Sequence, residues 1–458
     1  MLLNFRSLRF ACFAVCLTAA SGEANTDSAK PVCRIEPVDY KGWHAQQISN
    51  RWVQLTVVPQ NGGRLMQVSF AGHPFLFVNP KYEGKYLPPT QSQWFNYGGD
   101  KIWLLPEGNN DEQHWAGGSD LLDDGAYTFR KVSEGQQCEI ELTSPADPQS
   151  GIQFVRTIRL DADSPRIAFH VVMKNISGHD VEWSMQSVSQ YDTADASDRS
   201  RLNHDFWTFA PANPFSKYLN RYHVRFGPAE NRAASVRDNG LFALHYAHVA
   251  AELWLDSTVG WLAVVDGATS YAMIERFRYE GNKPYPGNAS VIFWMNGSEL
   301  RVNDDGIPSL SSGADGENPY YLEAEINSPL CRLRPGETCT LDTEWFPARG
   351  SSEFQSIAEA GIVMRPLRAT RGPSGKVTLS GTFGVFFSGR LVARLYDEHG
   401  ASLGSLPVVN VSPAELVSLA TEIPSNEKAA RLSLHLQDEN GVDRGSLQEV
   451  PIRSAEND

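Results

Sequence analysis

Two glutamates, Glu323 and Glu325, lie two positions apart in a segment of mostly aromatic and aliphatic residues, Tyr320–Ser328. Side chains two positions apart on a β-strand point to the same face. Because burying two unpaired carboxylates in a dry core is costly, this face is expected either to meet solvent or to line a polar cleft. Within a cleft a carboxylate could act as a general base, so Glu325 and Glu323 are the candidate catalytic residues.

A second segment, Trp94–Pro106, combines aromatic residues with a glycine pair and an Asp-Lys pair. Tryptophan rings can stack on the C–H side of a sugar ring, and amide, carboxylate and cationic side chains can hydrogen-bond its hydroxyl groups. Together these properties predict a carbohydrate-binding site. With the arginine that follows an earlier glycine pair, the candidate substrate-binding residues are Arg64, Trp94, Asn96, Asp100, Lys101 and Trp103.

The elements that carry these candidate residues are predicted to be β-strands. Most segments of the chain alternate apolar and polar residues or are rich in β-branched residues, as strands do. Helical periodicity is confined to Ser351–Ile362, where Phe354, Ile357 and Ile362 are spaced for one face. The chain is therefore predicted to be all-β. Strands are predicted at Trp52–Val58, Ile152–Leu160, Arg166–Asn175, Leu241–Tyr246, Gly260–Val265, Val291–Asn296, Tyr320–Ile326 and Thr338–Phe346.

Beyond the predicted helix, a turn-rich connector precedes evenly spaced short strands, which are typical of a small antiparallel β-sandwich. These strands are predicted at Lys376–Phe383, Arg390–Asp397, Glu415–Glu422 and Ala430–Gln437. We expect this C-terminal domain to pack on the large domain or to mediate contacts. The predicted organisation is a signal peptide at 1–24, a leader and first strand at 25–50, a large β-domain at 51–350, a helical linker at 351–367 and the C-terminal sandwich at 368–458.

The first two dozen residues have the pattern of an export signal. Arg6 and Arg9 precede an apolar stretch, Phe10–Ala20, and small residues precede Asn25. The stretch is too short to span a bilayer. Lipid attachment at Cys16 is a less favoured alternative, because the residues before it fit a lipidation box poorly. The protein is predicted to be periplasmic or secreted, with no membrane span.

The formal net charge of −14 argues against a nucleic-acid partner, because no basic stripe is present to neutralise phosphates. Two acidic segments, Asp304–Gly306 and Asp315–Asn318, could hold calcium, but neither follows the twelve-residue calcium-loop pattern. Calcium is therefore a weak alternative to the absence of any cofactor. No metal ligands are assigned, and the sequence leaves the oligomeric state open.

Four cysteines remain after removal of the signal, namely Cys33, Cys138, Cys331 and Cys339. Four cysteines in an exported chain suggest disulfides. The turn-like segment between Cys331 and Cys339 favours that pair and leaves Cys33 with Cys138. Three pairings are possible, however, and four reduced, buried thiols are a further alternative.

Several short motifs follow one another in a characteristic order: Asn61-Gly62-Gly63-Arg64 before Asn79-Pro80, then Tyr97–Trp103, then Arg156–Leu160 before Asn175-Ile176-Ser177, and finally Glu325 before Ser328-Pro329 and Leu333–Gly336. This set, between about Asn50 and Trp345, resembles the galactose mutarotase-like superfamily. The segment Tyr97–Trp103 is most similar to a bacterial branch of unknown function within it. The resemblance implies a β-supersandwich for the large domain and does not extend to the C-terminal domain.

The resemblance also implies roles at the site. In sugar epimerases of this fold a glutamate is the base, and Glu325 or Glu323 falls at that position. Histidines supply the acid, but here the acid position falls on Gln190 or, less well matched, Gln186. Glutamine does not titrate and cannot serve as a general acid. His114 loosely matches an earlier family histidine. Gln186, Gln190 and His114 are thus candidate substrate-binding residues.

The leading hypothesis is an exported carbohydrate-binding protein without mutarotase activity. An alternative is a carbohydrate-active enzyme, an epimerase, hydrolase or lyase, that uses Glu325 or Glu323 as base. A separation of about 5 to 10 Å between Glu325 and Asp100 across a pocket would favour hydrolysis. A third hypothesis is a structural envelope interaction module, with the C-terminal sandwich as its contact surface.

Overall fold

The computed structural model describes residues 31–90, 94–108, 113–115, 121–302, 308–311 and 318–454. The predicted signal peptide and most of the two acidic segments considered for calcium lie outside the described residues. Pro31–Asp458 belongs to one compact unit. The described chain is almost entirely β, as the alternating sequence pattern predicts, with a single α-helix of one turn among the described residues.

The large domain contains 24 of the strands. They are β1 (Arg34–Tyr40), β2 (Trp43–Ser49), β3 (Val53–Val58), β4 (Arg64–Phe70), β5 (His73–Pro74), β6 (Asp100–Leu105), β7 (Thr128–Ser133), β8 (Gln137–Thr143), β9 (Ile152–Asp161), β10 (Ile167–Asn175), β11 (Val181–Asp192), β12 (Phe206–Pro211), β13 (His223–Phe226), β14 (Ala234–Val236), β15 (Leu241–His245), β16 (Ala251–Leu255), β17 (Trp261–Asp266), β18 (Tyr271–Phe277), β19 (Val291–Met295), β20 (Glu299–Val302), β21 (Pro308–Ser311), β22 (Tyr321–Asn327), β23 (Cys331–Leu333) and β24 (Thr338–Arg349). The helical turns are α1 (Leu121–Asp124) and two 3-10 turns at Pro80–Tyr82 and Pro286–Asn288.

Two large antiparallel sheets form this domain. The first runs in the order β1-β2-β3-β4-β6-β11-β22-β19-β16-β13, and the second in the order β14-β15-β12-β17-β18-β24-β10-β9-β8-β7. Strands that are distant in sequence are therefore neighbours in the first sheet, where β6, β11, β22 and β19 lie side by side near its centre. This is the two-sheet architecture implied by the sequence.

The hydrophobic core of the large domain lies between the sheets. On β9, Ile152, Phe154 and Ile158 are fully buried, whereas Gln153 and Arg159 are not, as the alternating pattern predicts. Strands β3, β10, β15, β17, β19, β22 and β24 likewise begin and end within a few residues of their predicted limits. The burial of β9 and β10 alternates along the strand, whereas β17 and β22 are buried on both faces.

Both predicted disulfides are present, Cys33 with Cys138 and Cys331 with Cys339. The first joins segments 105 residues apart, at the beginning of β1 and on β8. The second closes the β23–β24 hairpin over a separation of 8 residues. Disulfides are typical of proteins that fold in an oxidising compartment.

The C-terminal part has its own eight-stranded sheet and hydrophobic core. Its strands are β25 (Ser356–Ala358), β26 (Gly361–Arg371), β27 (Val377–Val385), β28 (Gly389–Tyr396), β29 (Ser402–Val411), β30 (Val417–Ile423), β31 (Arg431–Asp438) and β32 (Asp443–Ser454). Four strands were predicted, corresponding to β27, β28, β30 and β31, and the other four, β25, β26, β29 and β32, were missed. The pairing is antiparallel except between β26 and β32, which run parallel.

The predicted helix at Ser351–Ile362 is wrong. The segment instead forms β25 and the start of β26, which pair in a tight hairpin around Glu359 and Ala360. The apolar residues that suggested a helical face serve separate contacts. Phe354 stacks on Phe209, with ring centroids 5.1 Å apart, whereas Ile357 and Ile362 pair across the hairpin. The spacing of these three apolar residues therefore comes from separate contacts of a loop and a β-hairpin, and not from one face of a helix.

The C-terminal sheet packs on the outer face of the second sheet, as expected. A cluster of buried apolar side chains, including Trp261, Ile274, Phe346, Met364 and Phe386, joins the two. The guanidinium of Arg276 covers the rings of Phe346 and Phe386 and donates a 2.6 Å hydrogen bond to the Ala358 carbonyl. Among the described residues, no helix is long and apolar enough to cross a membrane.

Candidate functional site

The candidate residues meet where β6, β11 and β22 pair at the centre of the first sheet. Lys101 is the register partner of Val188, which in turn is the partner of Glu325. Gln190 is the register partner of Glu323 on the neighbouring strand. Because alternate residues share a face, these side chains project from the face of the sheet that is turned away from the core.

A glycine pair allows β6 to enter this arrangement. Gly98 has φ of +92°, and a Cβ there would lie 2.2 Å from the Phe77 carbonyl oxygen. Gly99 has φ of +75°, and its Cβ would lie 2.8 Å from the Leu65 carbonyl oxygen. Only glycine combines this backbone conformation with such a close approach, so the pair brings the chain against β4 just before Lys101.

A cleft of about 450 Å³ opens on this face. Its walls come from β6, β11, β16, β19 and β22 and from the turn at Pro286–Asn288. Five of the candidate residues line it, namely Glu323, Glu325, Gln186, Trp94 and Trp103. Another depression, of about 510 Å³ between Arg159 and Arg276, lies on the second sheet and is remote from these carboxyl groups.

Glu323 is held by two side chains from neighbouring strands. The Lys101 ammonium lies 3.3 Å from Glu323 Oε1, and the Gln190 side-chain amide donates a 2.6 Å hydrogen bond to the same oxygen. Lys101 is itself 1% exposed and lies 4.5 Å from the centroid of the Trp103 ring. Lys101 and Gln190 therefore orient Glu323.

Glu325 is held differently. The Gln186 side-chain amide donates a short hydrogen bond to Glu325 Oε2, whereas the Gln186 Oε1 atom has no partner among the described residues. Burial raises the pKa of Glu325 well above its ordinary value, and the neighbouring carboxyl groups of Glu323 and Glu252 raise it further. The raised pKa favours the neutral form of the Glu325 carboxyl group relative to that of an exposed glutamate.

Two further carboxyl groups line the cleft, and sequence inspection missed both. Glu252 on β16 accepts a short hydrogen bond from the Trp254 indole, and burial raises its pKa. Glu107, just after β6, is exposed as a whole residue, but its carboxyl group lines the cleft. There burial of the carboxyl, together with Glu252 and Glu323, raises the pKa of Glu107 to about 7.

Tryptophans form much of the apolar wall. Trp94 and Trp103 meet edge to face with ring centroids 6.1 Å apart. Trp254 and Trp294, on β16 and β19, line the other side. Gly287 has φ of +56°, and a Cβ there would lie 1.9 Å from the Trp254 ring, so this glycine lets the 3-10 turn lie directly against that tryptophan.

The cleft continues into a groove of about 740 Å³. Trp94, Asn296 and Tyr321 line both, and Trp94 is 36% exposed at their junction. Asn96, a predicted binding residue, lines the groove and not the cleft, together with Lys81, Lys85 and Asn318. Together the cleft and groove exceed the size of a single sugar pocket.

Asp100 does not reach the cleft, which corrects its assignment as a substrate-binding residue. It is fully buried on the core side of β6, pairs with Arg156 and accepts a 3.1 Å hydrogen bond from Ser189. Because Lys101 faces the cleft, its sequence neighbour must face the core. Glu325 and Asp100 therefore do not face each other across this pocket. The distance between these two carboxylates that would favour hydrolysis does not apply to this pair.

Arg64 is also internal. It is fully buried, forms a 2.8 Å ion pair with Asp123 and donates a 3.3 Å hydrogen bond to the Gly98 carbonyl. Asp123 in turn accepts a 2.7 Å hydrogen bond from the Trp103 indole. Arg64 thus supports a cleft tryptophan through Asp123 instead of contacting a ligand.

The remaining predicted residues have mixed outcomes. Gln190 is fully buried behind Glu323 and acts as its hydrogen-bond donor. His114 is half-buried on the loop after β6, packed beside Gly108, and is not among the residues that line the cleft. No histidine among the described residues lines the cleft. Within the described residues, no group of three or more His, Cys, Asp or Glu side chains could hold a metal ion.

Solved structures with a similar fold include the Slr1438 protein from Synechocystis sp. PCC 6803, at 12% identity over 69% of this chain and 99% of that one, with a TM-score of 0.47. They also include galactose mutarotase-like proteins from Clostridium acetobutylicum, at 9% identity over 69% of this chain and 99% of that one with a TM-score of 0.42, and from Lactobacillus casei ATCC 334, at 9% identity over 66% and 99% with a TM-score of 0.43. No protein-family model and no curated protein matches the sequence.

Proposed function

We propose that this is an exported carbohydrate-binding protein that holds its ligand in the cleft of the first sheet and has no mutarotase activity. The observation that carries the proposal is the hydrogen bonding of the glutamine at the family's acid position, which is Gln190 or, less well matched, Gln186. Gln186 and Gln190 donate to Glu325 and Glu323, respectively, so the residues that would need to shuttle protons are locked in amide–carboxyl pairs.

The shape and chemistry of the cleft support a sugar ligand. A volume of about 450 Å³ falls within the range of small-molecule sites. Trp103, Trp254 and Trp294 provide aromatic faces, and the carboxyl groups provide acceptors for hydroxyl groups. The groove beyond Trp94 gives room for a second sugar unit.

Export is supported by two independent features. The sequence begins with a pattern typical of a cleaved signal, and the described chain contains two disulfides. We therefore place the protein in the periplasm or outside the cell.

An enzyme acting on carbohydrate is the second candidate, and the raised pKa values favour it specifically. Glu325, whose pKa is raised by burial, and Glu107, with a pKa of about 7, would then act as a general acid and a general base. Such a pair would serve either anomer exchange or glycosidic bond cleavage.

Calorimetric titration of the purified protein against monosaccharides and envelope or plant oligosaccharides tests the proposal, with Trp294→Ala, Trp94→Ala and Glu325→Gln as variants. We expect binding that Trp294→Ala weakens at least tenfold and that Glu325→Gln retains. Incubating each bound sugar with the protein and following it by proton NMR tests for turnover.

Faster anomer exchange or bond cleavage in the wild type, abolished by Glu325→Gln, would overturn the non-catalytic proposal in favour of the enzyme. Failure to bind any sugar on the panel would contradict both and favour the structural envelope module. An exposed glutamate remote from the cleft, Glu353 with a side chain 75% exposed, provides a matched Glu353→Gln control.

A further inference from the structure

We propose that the sugar held in this cleft is an amino sugar with a free, positively charged ammonium group. The inference rests on the proposed carbohydrate-binding function and narrows its ligand class. The side chains that surround the cleft carry more negative than positive charges and more free acceptors than free donors. A ligand with a positive charge and several hydrogen-bond donors would complement them.

Negative groups outnumber positive ones around the cleft. Four glutamates among the described residues line it, Glu107, Glu252, Glu323 and Glu325. Arg225 is the cationic residue among the described lining residues, and the buried Lys101 is committed to Glu323. When all four carboxyl groups are ionised, two of these charges have no cation of the protein to balance them.

Several hydrogen-bond donors of the residues that line the cleft are already used by the protein. The Trp103 indole donates to Asp123 at 2.7 Å, and the Trp254 indole donates to Glu252. The Asn296 amide donates to the Pro319 carbonyl at 2.7 Å.

The Gln186 amide donates to Glu325. Each of these four side chains therefore spends a hydrogen-bond donor inside the protein.

Acceptors, in contrast, are in excess. Gln186 is 2% exposed and lines the cleft, yet its Oε1 atom has no partner among the described residues. A buried acceptor without a donor costs about 1–3 kcal/mol, so a ligand donor at this position would be favoured. Glu252 and Glu107 add carboxyl oxygens that no Lys or Arg within hydrogen-bond distance is seen to satisfy in the described chain. An ammonium group offers three donors and a positive charge.

A metal ion does not fit this arrangement. No three acidic, His or Cys side chains of the described chain come close enough together to ligate one ion. The carboxyl groups surround a cavity of about 450 Å³ instead of converging on a point. The aromatic faces of Trp254 and Trp294 would additionally attract an ammonium group on a sugar ring by cation–π interaction.

Charge crowding makes binding depend on pH in a defined direction. Mutual repulsion helps to raise the pKa of Glu325, Glu252 and Glu107. A bound cation stabilises the ionised carboxyl groups, so binding releases protons. The affinity for an amino sugar should therefore rise from pH 5 toward pH 8, until the amine of the ligand loses its own proton.

The test is calorimetric titration of the full-length protein at pH 7 with glucosamine, galactosamine and mannosamine, each compared with its parent hexose and its N-acetyl derivative. We expect at least one amine to bind at least tenfold more tightly than both neutral forms, and its advantage to shrink in high salt. Glu252→Gln should reduce the amine's advantage over its parent hexose, taken as the ratio of the two affinities, by at least fivefold. Glu353→Gln should change neither.

The outcomes separate this inference from the proposed function. Binding of neutral sugars with no advantage for any amine would overturn the inference and leave the carbohydrate-binding proposal intact. An amine advantage that survives Glu252→Gln, Glu107→Gln and high salt would also overturn it. Equally tight binding of putrescine, an amine without a sugar ring, would contradict the amino-sugar assignment. No binding of any sugar would defeat the proposed function itself.

Discussion

The ammonium group of Lys101 lies 3.3 Å from a carboxyl oxygen of Glu323, although 222 residues separate the two in sequence. Both side chains are almost completely buried, at 1% and 7% exposure. A buried pair of this kind is costly to break, because removing one partner leaves the other charge without compensation. The pair also joins β6 to β22 across the intervening strand β11.

Lys101→Met should therefore lower the free energy of unfolding by about 3–5 kcal/mol. The double variant Lys101→Met/Glu323→Gln should recover a large part of this loss, because no unpaired charge remains. Urea denaturation of the wild type, both single variants and the double variant measures the coupling. A double variant whose loss equals the sum of the single losses would show that the pair is not coupled.

Stability should fall as pH rises from about 5 to 8 because of Glu275. This residue is fully buried between the sheets, accepts a 2.6 Å hydrogen bond from the Tyr191 hydroxyl, and has a pKa raised by burial from 4.5 to about 8. A folded-state pKa above the unfolded value means that the folded state binds more protons. The stabilising contribution is thus complete below pH 4.5 and is lost as pH rises through 8.

Glu275→Gln should flatten this dependence, with a change of roughly 3–5 kcal/mol in its pH-dependent part. Subtracting the profiles of the variant and the wild type removes the contributions of Glu325 and Glu107, which titrate in both proteins. Urea denaturation between pH 5 and pH 9 provides the profiles. Parallel profiles for the two proteins would contradict the assignment.

Gly287→Ala should weaken ligand binding at least tenfold, because the new Cβ would lie 1.9 Å from the Trp254 ring and displace that wall of the cleft. The matched control is Gly336→Ala, since Gly336 has a similar positive φ of +83° but no atom within 4 Å of the added Cβ. Both variants should lose about 1 kcal/mol of stability from backbone strain. Equal affinities in the two variants would argue against a role for Trp254 in binding.

Trp94→Ala should reduce the affinity for an oligosaccharide by about 1–2 kcal/mol while changing the affinity for a monosaccharide much less. Trp94 lines both the cleft and the adjoining groove, so it contacts a ligand that extends from one into the other. Trp94→Phe, which keeps an aromatic face, serves as control. Titration with a series of increasing chain length measures the difference, and equal losses at every length would be incompatible with an extended site.

The two disulfides should differ in their contribution to stability. Loop-closure entropy predicts about 4.7 kcal/mol for a loop of roughly 100 residues and about 2.5 kcal/mol for one of about eight. The separations here are 105 residues for Cys33–Cys138 and 8 residues for Cys331–Cys339. Cys33→Ser/Cys138→Ser should thus be about 2 kcal/mol less stable than Cys331→Ser/Cys339→Ser in urea denaturation; the reverse order would refute the entropic account.

The sequence predicted those features that depend on neighbouring residues. Alternation on β9 and β10 identified two strands, and the spacing of Glu323 and Glu325 placed both on one face of β22. The turn between Cys331 and Cys339 identified a disulfide. In each case the signal lies within ten residues, where strand geometry is fixed by the chain itself.

The features that sequence inspection missed depend on strand order. Nothing within Ala251–Leu255 indicates that β16 lies beside β19, so Glu252 and Trp254 could not be assigned to the cleft. Asp100 and Lys101 illustrate a related difficulty: adjacent polar residues must face opposite sides, and local pattern did not show which faced the core. The alternation of β6 could have shown it. Ile102 and Leu104 lie on the same face of the strand as Asp100, and two buried apolar side chains mark that face as the one toward the core.

The order of strands in the first sheet has a consequence for how the protein acquires its cleft. The strand that carries Glu323 and Glu325 is inserted between β11 and β19 and ends at Asn327, so the cleft lacks its central strand until that part of the chain has been synthesised. Long-range pairings of this kind are formed late and slowly, because a large loop must close before each contact can be made. Until then the edge of β11 that later pairs with β22 is unpaired, and an unpaired strand edge is prone to pairing with other chains.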